Sequence, residues 1–376
     1  MNGNDEKRVM PSEKILKKSG FSDEDLGKKG FGIDTFVLKL NPNRFDSKDL
    51  ERPAEILKSG GLVAFPTETV YGLGGSALMS DAAKKIYIAK GRPQDNPLIV
   101  HISAIDTLYE LTLNVPERAK RFIKKFWPGP LTLIFKKNSK VPDSVTAGLD
   151  SVAIRMPSHP IARELIRLAG PIAAPSANLS GKPSPTNARH VLQDLNGRVE
   201  CIIDGGDASV GVESTVLDVI KDEPVLLRPG GISFESLKKV NPSVRLHESI
   251  VSLSDVDKPA CPGMKYKHYA PKAQVMIINS KSKKKILAIT YTLIKQYKGL
   301  SKKIGILTYM KLNVSGCMVI RFKRPKDAAH MLFGALRNFD SKGVEVIIAH
   351  GIDVKGIGLA FMNRLTKAAG YNIINL

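Results

Sequence analysis

Two short stretches hold the side chains best suited to chemistry. Lys90-Gly91-Arg92-Pro93-Gln94-Asp95-Asn96-Pro97 sets two cations two residues apart on a loop whose path Gly91 and two prolines fix. Arginine meets phosphate or carboxylate oxygens bidentately and lysine acts as a compact point charge, so the pair suits one polyoxygen anion. A basic helix end that only offsets the helix dipole has the same composition. Ile172-Ala173-Ala174-Pro175-Ser176-Ala177-Asn178 runs a short apolar strand into small polar residues. Ser176 and Asn178 could meet a ligand beyond the strand's carboxyl end or cap a following helix. Arg155 points away from Val152, Ile154 and Met156 along a strand pattern, and such a cation needs a carboxylate or an anionic ligand beside it. His101 alternates with Ile99 and Ser103, as a structural strand histidine does. Glu213-Ser214-Thr215 and Arg228-Pro229-Gly230 also border apolar runs. Cations and small hydroxyls at strand ends, without an obvious nucleophile, describe a site for an anionic, polar ligand. No GxxxxGK[ST], GxSxG or HExxH occurs, and Gly72-Leu73-Gly74-Gly75 breaks the dinucleotide pattern GxGxxG.

These residues need elements to hold them. At 376 residues the chain is long enough for two domains. Residues 1–34 carry seven basic and seven acidic side chains without strong periodicity, which predicts a largely disordered extension with one short helix near Pro11–Lys18. From 35 to 245, strands are expected at Phe36–Leu40, Leu62–Phe65, Pro97–Ile102, Ser151–Met156, Pro171–Ala174, Cys201–Asp204, Ser214–Val219 and Pro224–Arg228. Helices are expected at Asp49–Ser59, Asp81–Lys90, Val115–Phe126 and His159–Leu168, which makes this region an α/β domain. Residues 246–274, rich in proline around Pro259, Pro262 and Pro271, predict a linker. Residues 275–376 alternate again. Strands at Val275–Ile278, Ile304–Thr308, Val319–Arg321 and Val344–Ala349, with helices between and at Asp327–Asn338 and Phe361–Ala369, suggest βαβ units and a parallel sheet.

Composition narrows the class. With 43% hydrophobic and 25% charged residues the chain is neither disordered throughout nor collagenous. No run approaches 18 apolar residues, so no membrane span is expected, and charges occupy the N-terminal positions where a signal peptide needs an apolar core. Cys201, Cys261 and Cys317 are too dispersed for a disulfide framework or a structural zinc site. The expectation is a cytoplasmic protein. The net charge is +21, and residues 276–376, with 18 basic against four acidic side chains, hold +14 of it. Such a surface favours nucleic acid or nucleotide phosphates, or is a lysine-rich solvated face.

Six motifs carry a resemblance. Pro66-Thr67-Glu68-Thr69-Val70-Tyr71-Gly72-Leu73, Lys90-x-Arg92 and Trp127-Pro128-Gly129-Pro130-Leu131-Thr132 are followed by three more. These are Pro175-Ser176-Ala177-Asn178, Gly211-Val212-Glu213-Ser214-Thr215-Val216 and Leu227-Arg228-Pro229-Gly230. In order and spacing they resemble the YrdC-like family of threonylcarbamoyl-AMP synthases over about 38–245. Pro262–Pro271 and Gly356–Arg364 resemble the linker and C-terminal domain of its longer, two-domain form. The resemblance implies an α/β fold: a YrdC-like twisted mixed-sheet catalytic domain plus a smaller Rossmann-like parallel α/β C-terminal domain.

It also implies a reaction, in which L-threonine, bicarbonate or CO2, and ATP give threonylcarbamoyl-adenylate and pyrophosphate for threonylcarbamoyladenosine in tRNA. By resemblance Lys90, Arg92, Ser176 and Asn178 form the family's KxR…SxN signature, and Thr67, His101, Arg155, Ala174 and Ser214 the threonine pocket. Arg92, Asn96, Ser151, Ser176, Ser184, Arg228 and Tyr269 match the ATP set. Mg2+ is expected with ATP, with no protein-bound structural metal. The implied partners are a downstream tRNA threonylcarbamoyl transferase complex and weak tRNA contact through the basic C-terminal domain. Two rivals differ in class. Carbamoyl-adenylate formation, as in hydrogenase-maturation proteins, goes with zinc-finger cysteine pairs that this chain lacks. An RNA-binding module without catalysis would not need an intact Lys90/Arg92/Ser176/Asn178 set.

Overall fold

A computed structural model describes residues 32–251 and 269–376. Its first unit is built on β1 (Phe36–Lys39), β2 (Val63–Phe65), β3 (Gly72–Ser76), β4 (Ile99–His101), β5 (Leu131–Lys136), β6 (Ser151–Arg155), β7 (Ile172–Ala173), β8 (Cys201–Asp204), β9 (Thr215–Asp218), β10 (Val225–Arg228) and β11 (Arg245–Leu246). They form one mixed sheet in the order β1-β8-β2-β3-β7-β4-β6-β5-β9-β10-β11. Helices α1 (Glu51–Lys58), α2 (Ser80–Lys90), α3 (Glu117–Phe126), α4 (Pro160–Ala169) and α5 (Ala188–Leu195) cover it. One face buries Leu57 of α1 and Ile161 and Leu165 of α4 against Val63, Phe65 and Ile203. The other buries Ile86 of α2, Phe122 of α3 and Leu192 of α5 against Leu73, Leu133 and Ile154. Apolar layers on both faces explain why the central strands read as continuous apolar runs.

Register sets the future site. His101 pairs with Ile172 on one side and Arg155 on the other, and Arg155 pairs with Thr132. Three polar side chains thus lie abreast on three neighbouring strands. Two of the strands concerned were not expected from sequence. Strand β5, Leu-Thr-Leu-Ile-Phe-Lys, is buried except for its last residue and shows no alternation. Strand β3 is glycine-rich because it must be: a Cβ on Gly74 would lie 2.8 Å from the Ile172 side chain and 2.9 Å from Phe65.

The second unit is a five-stranded parallel sheet of β12 (Gln274–Asn279), β13 (Ile304–Thr308), β14 (Cys317–Arg321), β15 (Val346–His350) and β16 (Ile373–Asn375), in the order β14-β13-β15-β12-β16. Helices α6 (Lys283–Gly299), α7 (Pro325–Ser341) and α8 (Gly358–Ala368) cover it, matching the expected parallel α/β architecture. The stretch expected as a linker is narrower than its sequence suggests. Residues 245–246 add a strand parallel to β10, Glu248–Val251 form a helical turn with Ile250 buried, and β12 already begins at Gln274. Two-residue strands and single helical turns lie below what hydrophobic periodicity can reveal. The expected extension helix near Pro11–Lys18 and the basic–aromatic run Lys265–His268 lie outside the described residues.

Candidate active site

Helix α2 ends at Gly91, whose φ of 59° lies in the left-handed region that glycine enters freely. The turn lets Arg92 N–H donate to the Tyr87 carbonyl and brings Lys90 and Arg92 to one cavity. Lys90 is buried, and its Nζ donates to the carbonyls of Ser176 and, at 2.6 Å, of Asn178. It therefore clamps the two backbone oxygens that flank Ala177. Burial first, and the neighbouring Arg92 charge second, hold its pKa well below the usual lysine value. Arg92 NH2 donates to the carbonyls of Asn96 and Pro97, at 3.1 and 3.2 Å. Asn178 Nδ2 donates to the Leu179 and Lys182 carbonyls, at 2.7 and 3.0 Å. That leaves Arg92 Nε and Asn178 Oδ1 buried without a hydrogen-bond partner among the described residues. Native interiors rarely leave such groups unpaired without a ligand or water to meet them.

Beside this unit lies the row set by the sheet. Arg155 is 4% exposed. Its NH2 lies 2.8 Å from Glu68 Oε1 and its NH1 donates to Thr69 Oγ1 at 2.8 Å. The partner that sequence reasoning required of Arg155 is therefore a carboxylate of the Pro66–Leu73 motif. Thr67 Oγ1 donates to the Val70 carbonyl at 2.6 Å and lies 2.8 Å from Thr69 Oγ1. His101 Nδ1 donates to the Ile99 carbonyl at 3.1 Å, and Phe65 meets its ring edge-on. Burial, reinforced by the Arg155 charge, pushes the imidazole down to about 3, so it is neutral at physiological pH.

The third wall comes from the loop before β9 and the end of β10. Arg228 Nε and NH2 donate to the Ser214 carbonyl at 3.1 and 3.0 Å, and NH2 also reaches Ser214 Oγ at 3.0 Å. Ser214 Oγ lies 2.8 Å from Thr132 Oγ1. Ser184 Oγ donates to Glu213 Oε1 at 2.6 Å, and Glu213 Oε2 accepts from Arg364 Nε at 2.8 Å. Arg364, fully buried, comes from α8 of the second unit, so the far sheet reaches the cavity wall. Tyr269 closes this side. It packs on Phe333 at 5.1 Å and under the Arg364 guanidinium at 5.6 Å, with a left-handed φ of 65°. Such a backbone costs a tyrosine about 1–3 kcal/mol and persists only where its surroundings impose it. Burial, then the Glu213 charge, raises its hydroxyl to about 12.

The cavity brings together twelve of the residues expected from sequence: Lys90, Arg92, Ser176, Asn178, Thr67, His101, Arg155, Ala174, Ser214, Ser184, Arg228 and Tyr269. Asn96 lies one layer out, its carbonyl held by Arg92 and by Tyr87 Oη. Ser151 is not brought to it. It begins the strand that Arg155 ends, about 13 Å away at strand rise, and lines a separate hollow with Lys136 and Lys137. Sequence reasoning missed Glu68, Thr69, Thr132, Glu213 and Arg364. All five sit inside the motifs quoted above, where none was given a role. Arg364, about 150 residues beyond Glu213, gives no local signal of its partner.

Comparison with known proteins places the chain. A family model described as Telomere recombination matches residues 55–230, and the model of the threonylcarbamoyl-AMP synthase C-terminal domain matches 232–370. A threonylcarbamoyl-AMP synthase of Pyrococcus abyssi is 48% identical over 343 residues, which span 91% of this chain and 100% of that one. A Bacillus subtilis threonylcarbamoyl-AMP synthase is 49% identical, over 86% of this chain and 94% of its own. The crystal structure of P. abyssi Sua5 complexed with L-threonine superposes with a TM-score of 0.86 at 47% identity, covering 91% of this chain and 99% of that one. The chain belongs to the threonylcarbamoyl-AMP synthase family, in the form that joins a YrdC-type unit to a Sua5 C-terminal domain.

Proposed function

We propose that this cavity is where the chain, as a threonylcarbamoyl-AMP synthase, turns L-threonine, bicarbonate or CO2, and ATP into threonylcarbamoyl-adenylate and pyrophosphate. The threonine amine adds to CO2 and loses a proton to give a carbamate. A carbamate oxygen attacks the α-phosphorus, and the bond to the β,γ-phosphates breaks to release pyrophosphate. Such a transfer needs positioning and charge neutralisation rather than a protein nucleophile. The observation that carries the reading is that Lys90 ties Ser176 and Asn178 together at the cavity that Arg92 also lines, while Arg92 Nε and Asn178 Oδ1 stay buried without a hydrogen-bond partner among the described residues.

In this reading Thr67, His101, Arg155 and Ser214, with the backbone of Ala174, hold threonine, and Arg155 shares its charge between Glu68 and the substrate carboxylate. Arg92, Ser176, Ser184, Arg228 and Tyr269, backed by Asn96, hold ATP, and Lys90 with Asn178 faces the carbamate and phosphates. Ser151 has no part, because of its place on β6. Glu213, the one carboxylate among the lining residues described, is paired with Arg364, and Glu68 beside the cavity is paired with Arg155, while the described residues hold no group of three or more metal-binding side chains. The residues present do not fit a protein-held Mg2+, and Mg2+ enters as the counter-ion of the ATP phosphates. The cavity encloses only about 70 Å³, whereas sites for small molecules run to about 300–1,000 Å³. In this reading Tyr269 is the wall that moves to admit substrates and then excludes water. No described helix is long and apolar enough to cross a membrane. A cytoplasmic enzyme handing its adenylate to a tRNA threonylcarbamoyl transferase completes the reading.

The test is pyrophosphate release with mass detection of the adenylate. Product should form only with threonine, bicarbonate and ATP together. Pyrophosphate release driven by carbamoyl phosphate without threonine would instead make this a carbamoyl-adenylate enzyme.

A further inference from the structure

The second sheet has a switch point. Strand β12 connects to β13 through α6, whose Ile286 and Ile294 pack on one face against Met276, Ile278 and Ile306. Strand β15 connects to β16 through α8, whose Phe361 and Leu365 lie on the opposite face with Val275, Ile277 and Ile347. β12 and β15 are neighbours, so the chain leaves two adjacent parallel strands toward opposite faces. In open α/β sheets that arrangement opens a crevice at the carboxyl edge, where ligands bind.

The crevice is present, with a volume of about 1160 Å³ between residues 279–282 and 351–355. Its floor is tight: Gly351 N–H donates to the Ile278 carbonyl at 2.9 Å, and a Cβ there would lie 2.9 Å from Asn279 Oδ1. Lys281, Lys285, Lys323, Arg324 and Lys355 line it, against one acidic side chain, Asp353. Arg324 is paired with Asp327 at 2.8 Å, while Lys281, Lys285 and Lys323 enter no ion pair among the described residues. The 17-residue helices α6 and α7 both start at this rim, from Ser282 and Arg324, and add the positive ends of their dipoles. One wall offers a ring. Tyr309 is half-buried and stands 6.1 Å from Phe322 and 6.0 Å from His350.

We propose that this crevice binds a mononucleotide, with the phosphate among Lys281, Lys285 and Lys323 and the base against Tyr309. It shares no lining residue with the catalytic cavity and stands independently of the reaction assigned there. A recess with cations around its mouth and one aromatic wall suits a small phosphate ester. An extended polynucleotide calls for a basic stripe with repeated stacking platforms.

Photolabelling of the full chain with 8-azido-AMP, followed by peptide mapping, tests this. Label should appear on the peptide carrying Tyr309 and be displaced by AMP. It should fall more than about tenfold in Lys281→Glu/Lys323→Glu, the loss expected from at least one charged hydrogen bond. That variant should keep threonine-dependent pyrophosphate release and the wild-type circular dichroism spectrum, and Lys281→Gln/Lys323→Gln should fall between the two. Label confined to the catalytic cavity, or label at Tyr309 that persists in the charge-reversed variant, would overturn the proposal. Weaker tRNA retention in that variant without any AMP labelling would also overturn it and make the rim an RNA contact.

Discussion

Arg92 and His101 show how much a single side chain can be asked to do. Arg92 donates through NH2 to two backbone carbonyls and leaves Nε buried without a hydrogen-bond partner among the described residues. A lysine there retains the charge but cannot make both sets of contacts. Arg92→Lys is expected to lower kcat/KM for ATP by about 10- to 150-fold, the equivalent of one lost hydrogen bond to a charged group at about 1.5–3 kcal/mol. Wild-type kinetics would leave Arg92 only its contacts to the loop backbone. His101 carries a pH consequence whose sign is fixed by its surroundings. Its pKa is about 3 in the folded chain against an ordinary 6.5, and His190 and His350 are likewise depressed by burial, to about 3 and about 4. Below pH 6.5 the unfolded chain takes up protons that the folded chain refuses, so stability is full above that pH and declines as pH falls toward 3–4. The denaturant midpoint should be flat in these groups from about pH 8 to 6.5 and drop below it. A midpoint that rises on acidification would mean that these imidazoles are charged in the fold.

At the scale of elements, what was legible in the sequence and what was not divides along a physical line. Lys90, Arg92, Ser176 and Asn178 were readable because one turn after α2 and one short strand end present them within a few residues of chain. Strand β5 was not, since burial on both faces removes the alternation that marks a strand. Glu213 and Arg364 were not paired from sequence, because only tertiary packing brings α8 to the loop before β9. That pair now makes a prediction. Glu213 holds Ser184 with one oxygen and Arg364 with the other. Removing the cation leaves a buried carboxylate with only the Arg228 charge to offset it, at a cost of up to about 3–5 kcal/mol, whereas removing both charges together costs far less. Arg364→Met should therefore lower the melting temperature and raise the KM for ATP more than that for threonine. Arg364→Met/Glu213→Gln should recover much of the melting temperature but not the KM, since Ser184 has lost its ionised anchor. Equal effects on both substrates would make the pair purely structural. In the second unit the parallel alternation was plain. Residues 246–251 were read as linker because a two-residue strand and a single helical turn carry too little pattern.

For the whole molecule, the question is whether the second unit is an appendage or part of the catalytic wall. Contacts of three kinds decide it. Arg364 pairs with Glu213, and Arg337 of α7 donates to the Pro183 carbonyl at 2.6 Å and to Asp194 at 2.7 Å. Gly211 packs so closely on His330 that a Cβ would lie 2.4 Å from the His330 Cα. Val70 and Val212 belong to the same apolar cluster as Tyr269, Phe333 and Phe361, so the core of the second unit continues into the loops that line the site. A chain ending at residue 251 keeps β11 and the buried Ile250, and with them both apolar layers of the first sheet. It should fold, with native-like circular dichroism and cooperative unfolding. It should nevertheless form threonylcarbamoyl-adenylate poorly, because Glu213 and Asp194 lose their arginines, the Val70–Val212 patch is bared, and Tyr269 is gone. Gly211→Leu in the full chain should copy part of that loss by prising the units apart, and it serves as the control that leaves every catalytic residue unsubstituted. The measurement is adenylate accumulation by full-length, truncated and Gly211→Leu proteins at matched folded concentration. Full activity in the truncated chain would leave the second unit outside the catalytic wall, and the cross-unit arginines would then serve only to hold two independent sheets together.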